Sequence, residues 1–466
     1  MAQGVAAAVV SVVGGGLAGP EAAFQIARRG LRTRLYEMRP RVSTPAHRTG
    51  GLAELVCSNS LKSEALHSAP WLLKQELRQA GSLLLDCAAA VAIPGGQALT
   101  VDRVAFSTAV EARLRALASV EIVREEVADL AALPPGPVVI ASGPLTSPPL
   151  TAQLERLTGG AGLYFYDAIS PIVDAASVNS ARVFPASRYG KGGPDDYWNC
   201  PLDRAEFDRF YAALRQAESY PLHAFEEPRF FSACLPLEEL ARRGPETLRF
   251  GPMKPVGLTD PRTGRPPYAA VQLRRESQRA DSFNLVGFQN HLRQAEQARV
   301  LRLIPGLEEA RFLRFGQVHR NTYLNAPALL TPRLELRTRS AAAGPLFVAG
   351  QLCGAEGYIE AIATGLLAGL FAAHAALGLP SAPPPRETAL GSLIHYLTAS
   401  SPAGYAPANI TFDLLPLPPE LAAIGDRAAR RRRQCDRALA AFRAWWQEMS
   451  DVASPAGLAT ALPQPR

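Results

Sequence analysis

The sequence predicts an α/β chain: a nucleotide-binding fold in two sequence pieces, interrupted by an inserted α+β domain and completed by C-terminal helices. Glycine-rich turns that join a buried strand to a helix occur near residues 14 and 350, and each is typical of one piece. Between them, from about residue 159 to 315, Pro, Tyr, Phe and Asp become more frequent. We therefore expect a nucleotide-binding domain at 1–160 and 316–452, an insertion at 161–315 and a flexible tail at 453–466.

The first piece begins with a β-α-β unit. Residues 7–13 form a short apolar run that is typical of a buried parallel strand, and residues 18–29 follow with the pattern of a helix. A second strand is expected at 31–36, and further strands at 120–126 and 137–141. This order predicts a parallel sheet that starts with a mononucleotide-binding half.

The turn after the first strand carries the motif GxGxxG. Its residues are Gly14, Gly15, Gly16, Leu17, Ala18 and Gly19. The first glycine permits a tight turn, the second lets backbone approach a pyrophosphate, and the third lets helix and strand pack closely. The helix N-terminus supplies N–H groups and partial positive charge, and Glu37 after the second strand is expected to bind ribose hydroxyls. Together they predict a Rossmann-like dinucleotide-binding domain; the alternative is a glycine-rich turn in another α/β protein.

The second glycine-rich turn favours FAD as the dinucleotide. Residues 345–357 read as a strand followed by Gly350, Gly354 and Gly357, after which a helix begins whose N-terminus could face a flavin. A simple NAD-dependent dehydrogenase is not expected to have this second turn. The apolar run at 361–379 is about long enough to cross a membrane, but it contains three glycines and a histidine. We predict a buried helix and no membrane contact.

The overall composition is that of a globular protein. The 466 residues are 47% hydrophobic and 20% charged, with a formal net charge of +7. This composition excludes a wholly disordered, collagen-like or coiled-coil chain, and its mild positive charge allows a polyanionic partner. Six cysteines form no CxxC pair, which indicates free thiols in a reducing cytoplasm. The N-terminal apolar run has no basic region before it, so we expect a strand there rather than a signal peptide. We also predict no metal site.

Two cysteines lie in polar or aromatic surroundings that suit a reactive thiol. Cys57 stands in the segment ELVCSNSLK, where the nearby Lys62 would favour a thiolate, and Cys234 stands in FFSACLP within the insertion. A single cysteine is more often a small buried hydrophobe. We keep that interpretation for the remaining thiols, which are Cys87, Cys200, Cys353 and Cys435.

Several phrases along nearly the whole chain resemble the folate- and FAD-dependent tRNA (uracil-5-)-methyltransferases of the TrmFO family, which are related to the GidA/MnmG flavoproteins. The phrases are GGGLAGPEAA (14–23), ELVCSNSLKSE (54–64), DAISPIVDAASV (167–178), DYWNCPL (196–202), FFSACLPLEELARRGPETLRFGPMKPVGL (230–258), GFQNHLRQAEQARVLRLIPGLEEARFLRFGQVHRNTYLNAP (287–327) and GQLCGAEGYIEAIATGLLAG (350–369). Within this wider group, the phrases around Cys57 and Cys234 and the phrase HRNT at 319–322 are specific to the TrmFO family.

The resemblance implies transfer of a one-carbon unit from 5,10-methylenetetrahydrofolate to C5 of uridine 54 in the T-loop of tRNA, with FAD reduced by NAD(P)H. It also implies that Cys57 and Cys234 are the functional cysteines. A thiolate that adds to C6 makes C5 nucleophilic, and we assign this attack to Cys234. Cys57 takes a flavin-side role, either removing the C5 proton or guarding the carbon carrier. The implied enzyme is cytoplasmic and needs no protein partner.

Binding of tRNA requires basic surface. The region 427–443 contains seven arginines, four of them consecutive. A phosphate-contacting patch and an ordinary solvated helix face both fit this run. The candidate RNA contacts are Arg430, Arg431, Arg432, Arg433, Lys254 and Arg320, with Lys62 and His319 as further candidates for the cleft.

Three other functions remain open on the sequence. The first is a GidA/MnmG-like modification of the tRNA wobble uridine, although those enzymes are longer, with a C-terminal helical region that we do not find in this sequence. The second is a flavin–thiol oxidoreductase that pairs Cys57 with Cys234. The third is an RNA-binding scaffold that has lost catalysis, but both cysteines are present.

Overall fold

The structure, a computed structural model, describes residues 9–160, 162–221, 235–338 and 344–451, without the side chains of 162–168, 318–320 and 451. The strands are β1 (Val9–Val13), β2 (Arg32–Tyr36), β3 (Ser60–Ser63), β4 (Ala92–Ile93), β5 (Ala98–Val101), β6 (Val120–Val123), β7 (Val138–Ile140), β8 (Gly162–Ile169), β9 (Ile172–Asp174), β10 (Phe184–Pro185), β11 (Tyr197–Leu202), β12 (Ala269–Arg275), β13 (Ser282–Leu285), β14 (Phe312–Arg314), β15 (Gln317–Leu324) and β16 (Leu346–Val348). The helices are α1 (Ala18–Ala27), α2 (Ala69–Gln79), α3 (Leu83–Ala90), α4 (Arg103–Arg115), α5 (Pro148–Thr158), α6 (Arg204–Gln216), α7 (Leu237–Arg242), α8 (Pro245–Phe250), α9 (Gln294–Leu301), α10 (Ala326–Leu329), α11 (Tyr358–Leu377), α12 (Ala389–Ala399), α13 (Pro419–Ala422) and α14 (Arg427–Asp451).

One parallel sheet joins the two predicted pieces of the nucleotide-binding fold. Its strand order is β16-β7-β1-β2-β6, so β16 from the second piece pairs with β7 from the first. The central strand β1 pairs in parallel with β2 on one side and β7 on the other. Strands buried on both faces explain the short Val- and Ile-rich runs in the sequence. The predicted α/β class, with its sheet built from both ends of the chain, is confirmed.

Two helices, α1 and α11, pack closely together beside this sheet. The contact depends on Gly365 and Gly369 of α11, because a Cβ atom at either position would overlap the backbone of Ala18 or Ala22 in α1. The helix α11 has a mean hydropathy of 1.5, and 89% of its most apolar window is buried inside the protein. Its membrane-like composition is therefore that of a core helix, as the sequence predicted.

The chain between the two pieces forms a second sheet with its own core. The strand order is β10-β11-β12-β13-β9-β14, and the paired strands run antiparallel. Helices cover this sheet, and the core includes Phe207, Phe210, Phe283 and Phe288. A separate ribbon of β8 and β15, antiparallel along its whole length, leads into and out of this region. The predicted boundaries would divide this ribbon between two domains, and they remain a prediction.

The C-terminal helix α14 is docked on the rest of the protein through its aromatic residues. Phe442 and Trp445 are buried, and the indole Nε1 of Trp445 donates a hydrogen bond to the carbonyl of Ala382 at 3.1 Å. The guanidinium of Arg29 at the end of α1 lies 5.7 Å from the ring centre of Trp446. These contacts fix which face of α14 meets solvent.

Candidate active site

A cavity of about 380 Å³ lies at the carboxyl ends of the strands of the parallel sheet. In an open α/β sheet this edge is where ligands bind. Among the residues that the sequence singled out, those that line the cavity are Gly14, Gly15, Gly16, Leu17, Ala18, Glu37, Cys57, Lys62, Gly350 and Gly357. The fold thus brings the dinucleotide motif, the second glycine-rich turn and one of the two candidate thiols to one site. Gly19 and Gly354 lie outside this lining.

The three motif glycines of the first turn have different structural roles. Gly14 has φ of +110°, and a Cβ there would overlap the carbonyl of Ala141 after β7, so the tight turn requires glycine. A Cβ at Gly16 would meet no atom within 4 Å, which leaves its backbone open to a ligand. A Cβ at Gly19 would overlap the carbonyl of Gly14. Gly16 therefore faces the cavity, whereas Gly19 allows α1 to start against the turn.

Glu37 is held in place by a network of hydrogen bonds. Its Oε2 accepts from the amide of Gly15 at 2.8 Å, and its Oε1 accepts from the backbone amide and the Nε of Arg39 at 2.9 and 2.8 Å. Arg39 also pairs with Glu54 at 3.0 Å. Burial raises the pKa of Glu37, but the hydrogen bonds and charge of Arg39 outweigh it, so the net pKa is lowered. The carboxylate stays ionised and fixes the shape of the glycine-rich turn.

The second glycine-rich turn also borders the cavity. Gly350 packs against α1, where its Cβ would lie 3.2 Å from that of Ala18, and its amide donates to Thr364 at 2.9 Å. Gly357, with φ of +110°, precedes α11 and points the helix N-terminus into the cavity. Gly354 instead makes room for the hydroxyl of Tyr405. Two of the three predicted glycines therefore border the cavity.

Tyr358, the first residue of α11, fixes the backbone at Cys57. Its hydroxyl accepts hydrogen bonds from the amides of Cys57 at 2.8 Å and Ser58 at 3.1 Å. Burial, and then the nearby Cys57, raise the pKa of the phenol far above its ordinary value, so Tyr358 stays neutral. Tyr358 is not among the residues predicted from the sequence, although its position directly after Gly357 at the start of a helix is a usable signal.

Three arginines from different elements hold the segment 55–58 that carries Cys57. Arg103 of α4 donates to the carbonyls of Leu55 and Val56 at 2.5 and 3.1 Å. From the second sheet, Arg314 donates to the carbonyl of Val56 at 2.8 Å, and Arg274 donates to the hydroxyl of Ser58 at 2.9 Å. The nucleotide-binding fold and the inserted region therefore position this segment together.

His47 also lines the cavity. Its Nδ1 shares a hydrogen bond with the hydroxyl of Thr44 at 2.6 Å. Burial, and then the positive charge of Arg39, lower the pKa of His47 to about 4. The imidazole is therefore neutral at physiological pH.

The remaining predicted residues lie elsewhere or outside the described part. Cys234 is not among the described residues, and neither are the side chains of His319 and Arg320 in β15. Lys254 is half-buried in a turn of the inserted region and does not line the cavity. Four other thiols are buried and free, as predicted, namely Cys87, Cys200, Cys353 and Cys435.

The four consecutive arginines lie in the first half of α14. Arg432 and Arg433 are exposed, whereas Arg430 and Arg431 are half-buried. The guanidinium of Arg431 lies 5.0 Å from the ring centre of Phe412, so its orientation is set by that contact. Among the described residues, neither Arg432 nor Arg433 has a salt-bridge partner, so both side chains can contact a polyanion.

These residues fit an FAD dinucleotide. The open backbone at Gly16 and the start of α1 would hold the pyrophosphate, and the side of the cavity toward Glu37 would hold the adenosine. The flavin ring would then occupy the other end, which is bordered by Gly350, Gly357 and Cys57.

Comparisons with known proteins agree with this geometry. Residues 9–380 match the family described as glucose inhibited division protein A. The TrmFO protein of Solibacter usitatus, named methylenetetrahydrofolate–tRNA-(uracil-5-)-methyltransferase, is 57% identical over 439 residues, which cover 93% of this chain and 97% of that protein. The protein of the same name from Koribacter versatilis is 54% identical over 441 residues, covering 94% and 97%.

The solved structures give the same fold. GidA of Aquifex aeolicus superposes with a TM-score of 0.70 at 18% identity, over 99% of this chain and 75% of that one. A second crystal form of the same protein gives 0.68. The sequence similarity extends through the cysteine-bearing and glycine-rich phrases to nearly the full length of the relatives. The chain therefore belongs to the TrmFO family, within the wider group of proteins related to GidA.

Proposed function

We propose that the protein forms 5-methyluridine at position 54 in the T-loop of tRNA, with 5,10-methylenetetrahydrofolate as carbon donor and FAD, reduced by NAD(P)H, as the redox cofactor. The observation that carries the proposal is the cavity in which Cys57 meets the dinucleotide turn and the N-terminus of α11. The relatives at 57% and 54% identity bear the corresponding enzyme name. The buried thiols of Cys87, Cys200, Cys353 and Cys435, which form no disulfide, suit a cytoplasmic location.

The chemistry requires activation of C5 of uracil. Attack of the Cys234 thiolate on C6 places electron density at C5, which then bonds to the methylene carbon that originates from the folate. Loss of the C5 proton lets the bond between the methylene carbon and its carrier nitrogen break, which releases tetrahydrofolate and leaves an exocyclic methylene on the base. FAD, when bound and reduced, would supply the hydride that converts this methylene to a methyl group, and departure of the thiolate from C6 then restores the aromatic base. Uridine 54 must leave its stacked position to enter the site, at a cost of a few kcal/mol.

Cys57 acts at the flavin end of the cavity. Its backbone is fixed by Tyr358 from α11 and by Arg103 from α4, so the thiol has a defined place beside the proposed position of the ring. A group held in this way can remove the C5 proton or protect the one-carbon unit from water. Both roles predict that loss of the thiol stops turnover while FAD stays bound.

The phosphate backbone of tRNA would be bound by basic surface. The exposed Arg432 and Arg433 of α14 are the strongest candidates, supported by the absence of any salt bridge to either within the part of the chain that the structure describes. Lys254 and Arg320 lie in or beside the inserted region and are weaker candidates. The T-arm is the expected contact because it carries the target uridine.

Nucleoside analysis tests the proposal. The purified protein is incubated with unmodified tRNA, methylenetetrahydrofolate and NAD(P)H. The tRNA is then digested with a nuclease, and the masses of its fragments are measured by mass spectrometry. We expect 5-methyluridine at position 54, dependent on both co-substrates, and its loss in Cys57→Ala. Cys87→Ala, at a buried thiol outside the cavity, is the matched control and should retain activity. A product confined to the wobble uridine would contradict the proposal and favour a GidA-like function. Methylation that needs no folate would contradict the proposed carbon donor.

A further inference from the structure

Lys62 is held at the cavity by an unusual backbone conformation. It has φ of +62°, in the left-handed region that costs a lysine about 1–2 kcal/mol, and it lies where the pairing of β3 with β5 shifts register. The fully buried Lys74 fixes this irregularity, because its Nζ donates to the carbonyls of Leu61 and Lys62 at 3.1 and 3.0 Å and pairs with Glu64 at 3.0 Å. Strain maintained in this way is typical of functional positions.

The ammonium group of Lys62 has two acceptors and three N–H bonds. Its Nζ lies 2.6 Å from Oε1 of Glu360 and 2.7 Å from Oδ1 of Asn409. No third acceptor occurs among the described residues, and both Lys62 and Asn409 line the cavity. Because an ammonium has three donors, one N–H is left for a ligand.

Two features surround the ammonium of Lys62, namely its buried counter-ion Glu360 and the N-terminus of α11. Glu360 is fully buried in the first turn of α11 and does not line the cavity, and its Oε2 has no hydrogen-bond partner among the described residues. A Cβ at Gly357 would lie 2.5 Å from the Nζ of Lys62, so glycine is needed for the close approach of the helix N-terminus. The ammonium and the positive end of the helix therefore face the cavity together.

This end of the cavity is the flavin end under the proposed function. Glu37 and Arg39 would border the adenosine, Gly16 the pyrophosphate, and Gly350, Gly357 and Lys62 the flavin ring, and all of these residues line the cavity. A hydride from NAD(P)H gives FAD two electrons and one proton and leaves NAD(P)⁺. The reduced ring thus gains one negative charge, and a nearby fixed cation stabilises it.

We propose that Lys62 donates its third N–H to the flavin ring and, with the N-terminus of α11, stabilises the charge that the ring gains on reduction. Glu360 is the counter-ion that holds the ammonium in place and limits its effect. The inference rests on the proposed function in one respect only, namely that FAD occupies this cavity.

Redox equilibration tests the proposal without tRNA or folate. The FAD-loaded protein is equilibrated anaerobically with a dye of known potential, and the oxidised and reduced fractions are read from their absorbance. In Lys62→Met we expect the equilibrium to shift at least tenfold toward oxidised FAD, which is about 30 mV for a two-electron couple. Lys62→Arg should remain within about threefold of wild type, and Glu360→Gln should shift the equilibrium the other way, toward reduced FAD.

The controls separate this role from a purely structural one. Lys191→Met removes an exposed lysine outside the cavity and should leave the equilibrium unchanged. An unchanged potential in Lys62→Met, or a shift toward oxidised FAD in Glu360→Gln, overturns the proposal. If Lys62→Met does not retain FAD, Glu360→Gln decides alone, and no shift toward reduced FAD then overturns it. A wild-type protein that binds no FAD would instead contradict the proposed function.

Discussion

Single glycines of one motif have separable roles. Gly16 borders open space, whereas Gly19 lies against the carbonyl of Gly14. We predict that Gly16→Val folds but no longer retains FAD, because its side chain would occupy the place of the pyrophosphate. Gly19→Val should instead destabilise the protein, by about 1–3 kcal/mol or more, because helix and turn are forced apart.

Flavin absorbance and thermal unfolding distinguish these outcomes. The FAD content of each purified variant is measured after FAD is added back, and its melting temperature is measured in parallel. Full FAD retention in Gly16→Val would show that the pyrophosphate does not approach this turn.

The lowered pKa of His47 predicts that the protein loses stability as the pH falls. Its pKa is lowered to about 4 in the folded protein, mainly by burial, against about 6.5 in the unfolded chain. Between these values the unfolded state binds the additional proton, so stability present above pH 6.5 is lost as the pH falls toward 4. The loss is about 1.4 kcal/mol per pH unit and about 3 kcal/mol in all.

Denaturant unfolding at several pH values tests this difference. His47→Gln cannot titrate, so its free energy of unfolding should fall less steeply than that of wild type between pH 6.5 and 4. Parallel curves for the two proteins would mean that His47 is protonated equally in both states.

The sequence predicted residues whose roles are local. Gly14 and Gly16 act within one turn, and a turn has a recognisable pattern. The sequence also singled out Lys62 for the cleft, but it could not predict the contacts of Lys62 or Tyr358, because Tyr358 binds the amide of Cys57, 301 residues away, and Lys62 binds a carboxylate 298 residues away. Such contacts depend on how the sheet and helices assemble, which no local pattern records.

At the scale of elements, α14 presents its basic face beside a buried aromatic face. Phe442 and Trp445 are buried, and Arg432 and Arg433 are exposed. We predict that Arg432→Ala with Arg433→Ala weakens tRNA binding about equally for different tRNA sequences. The slope of log affinity against log salt should flatten by about one for each lost phosphate contact.

Binding measured at several salt concentrations tests the role of α14. The matched control is Arg113→Ala with Arg115→Ala, which removes two exposed arginines from α4. It lowers the net charge by the same amount as the α14 variant. Equal affinity and slope in the α14 variant and wild type would assign the arginine run to an ordinary solvated helix face.

The elements themselves were predicted to different degrees. The strands expected at 31–36 and 137–141 are β2 and β7, and the helix expected at 361–379 is α11 at Tyr358–Leu377. The expected helix at 421–449 is divided into the short α13 and the long α14. The order of the second sheet was not predictable, since β9 pairs with β13 and β14, more than 100 residues later.

At the scale of the whole molecule, the site lies where the two regions meet. Arg103 from the nucleotide-binding fold and Arg274 and Arg314 from the inserted region all bind the segment that carries Cys57. The position of this thiol therefore depends on the relative placement of both regions. This arrangement suits a reaction in which a cofactor is bound by one region and a large substrate by the other.

We propose that two cysteines divide the reaction, with Cys234 bonding to uracil C6 and Cys57 acting at the flavin end. With 5-fluorouridine in the T-loop, C5 cannot lose a proton, so the bond between enzyme and RNA should persist. Cys234→Ala should keep FAD but lose methyl transfer by at least about 1,000-fold.

Peptide mapping of the trapped complex is the most direct measurement. Wild-type protein, with FAD, NAD(P)H and the folate donor, is incubated with the fluorinated tRNA, denatured and digested. We predict a nucleotide attached to Cys234, no adduct in Cys234→Ala, and an adduct still formed through Cys234 in Cys57→Ala. A nucleotide on Cys57, or an adduct that persists without Cys234, would contradict this division of roles.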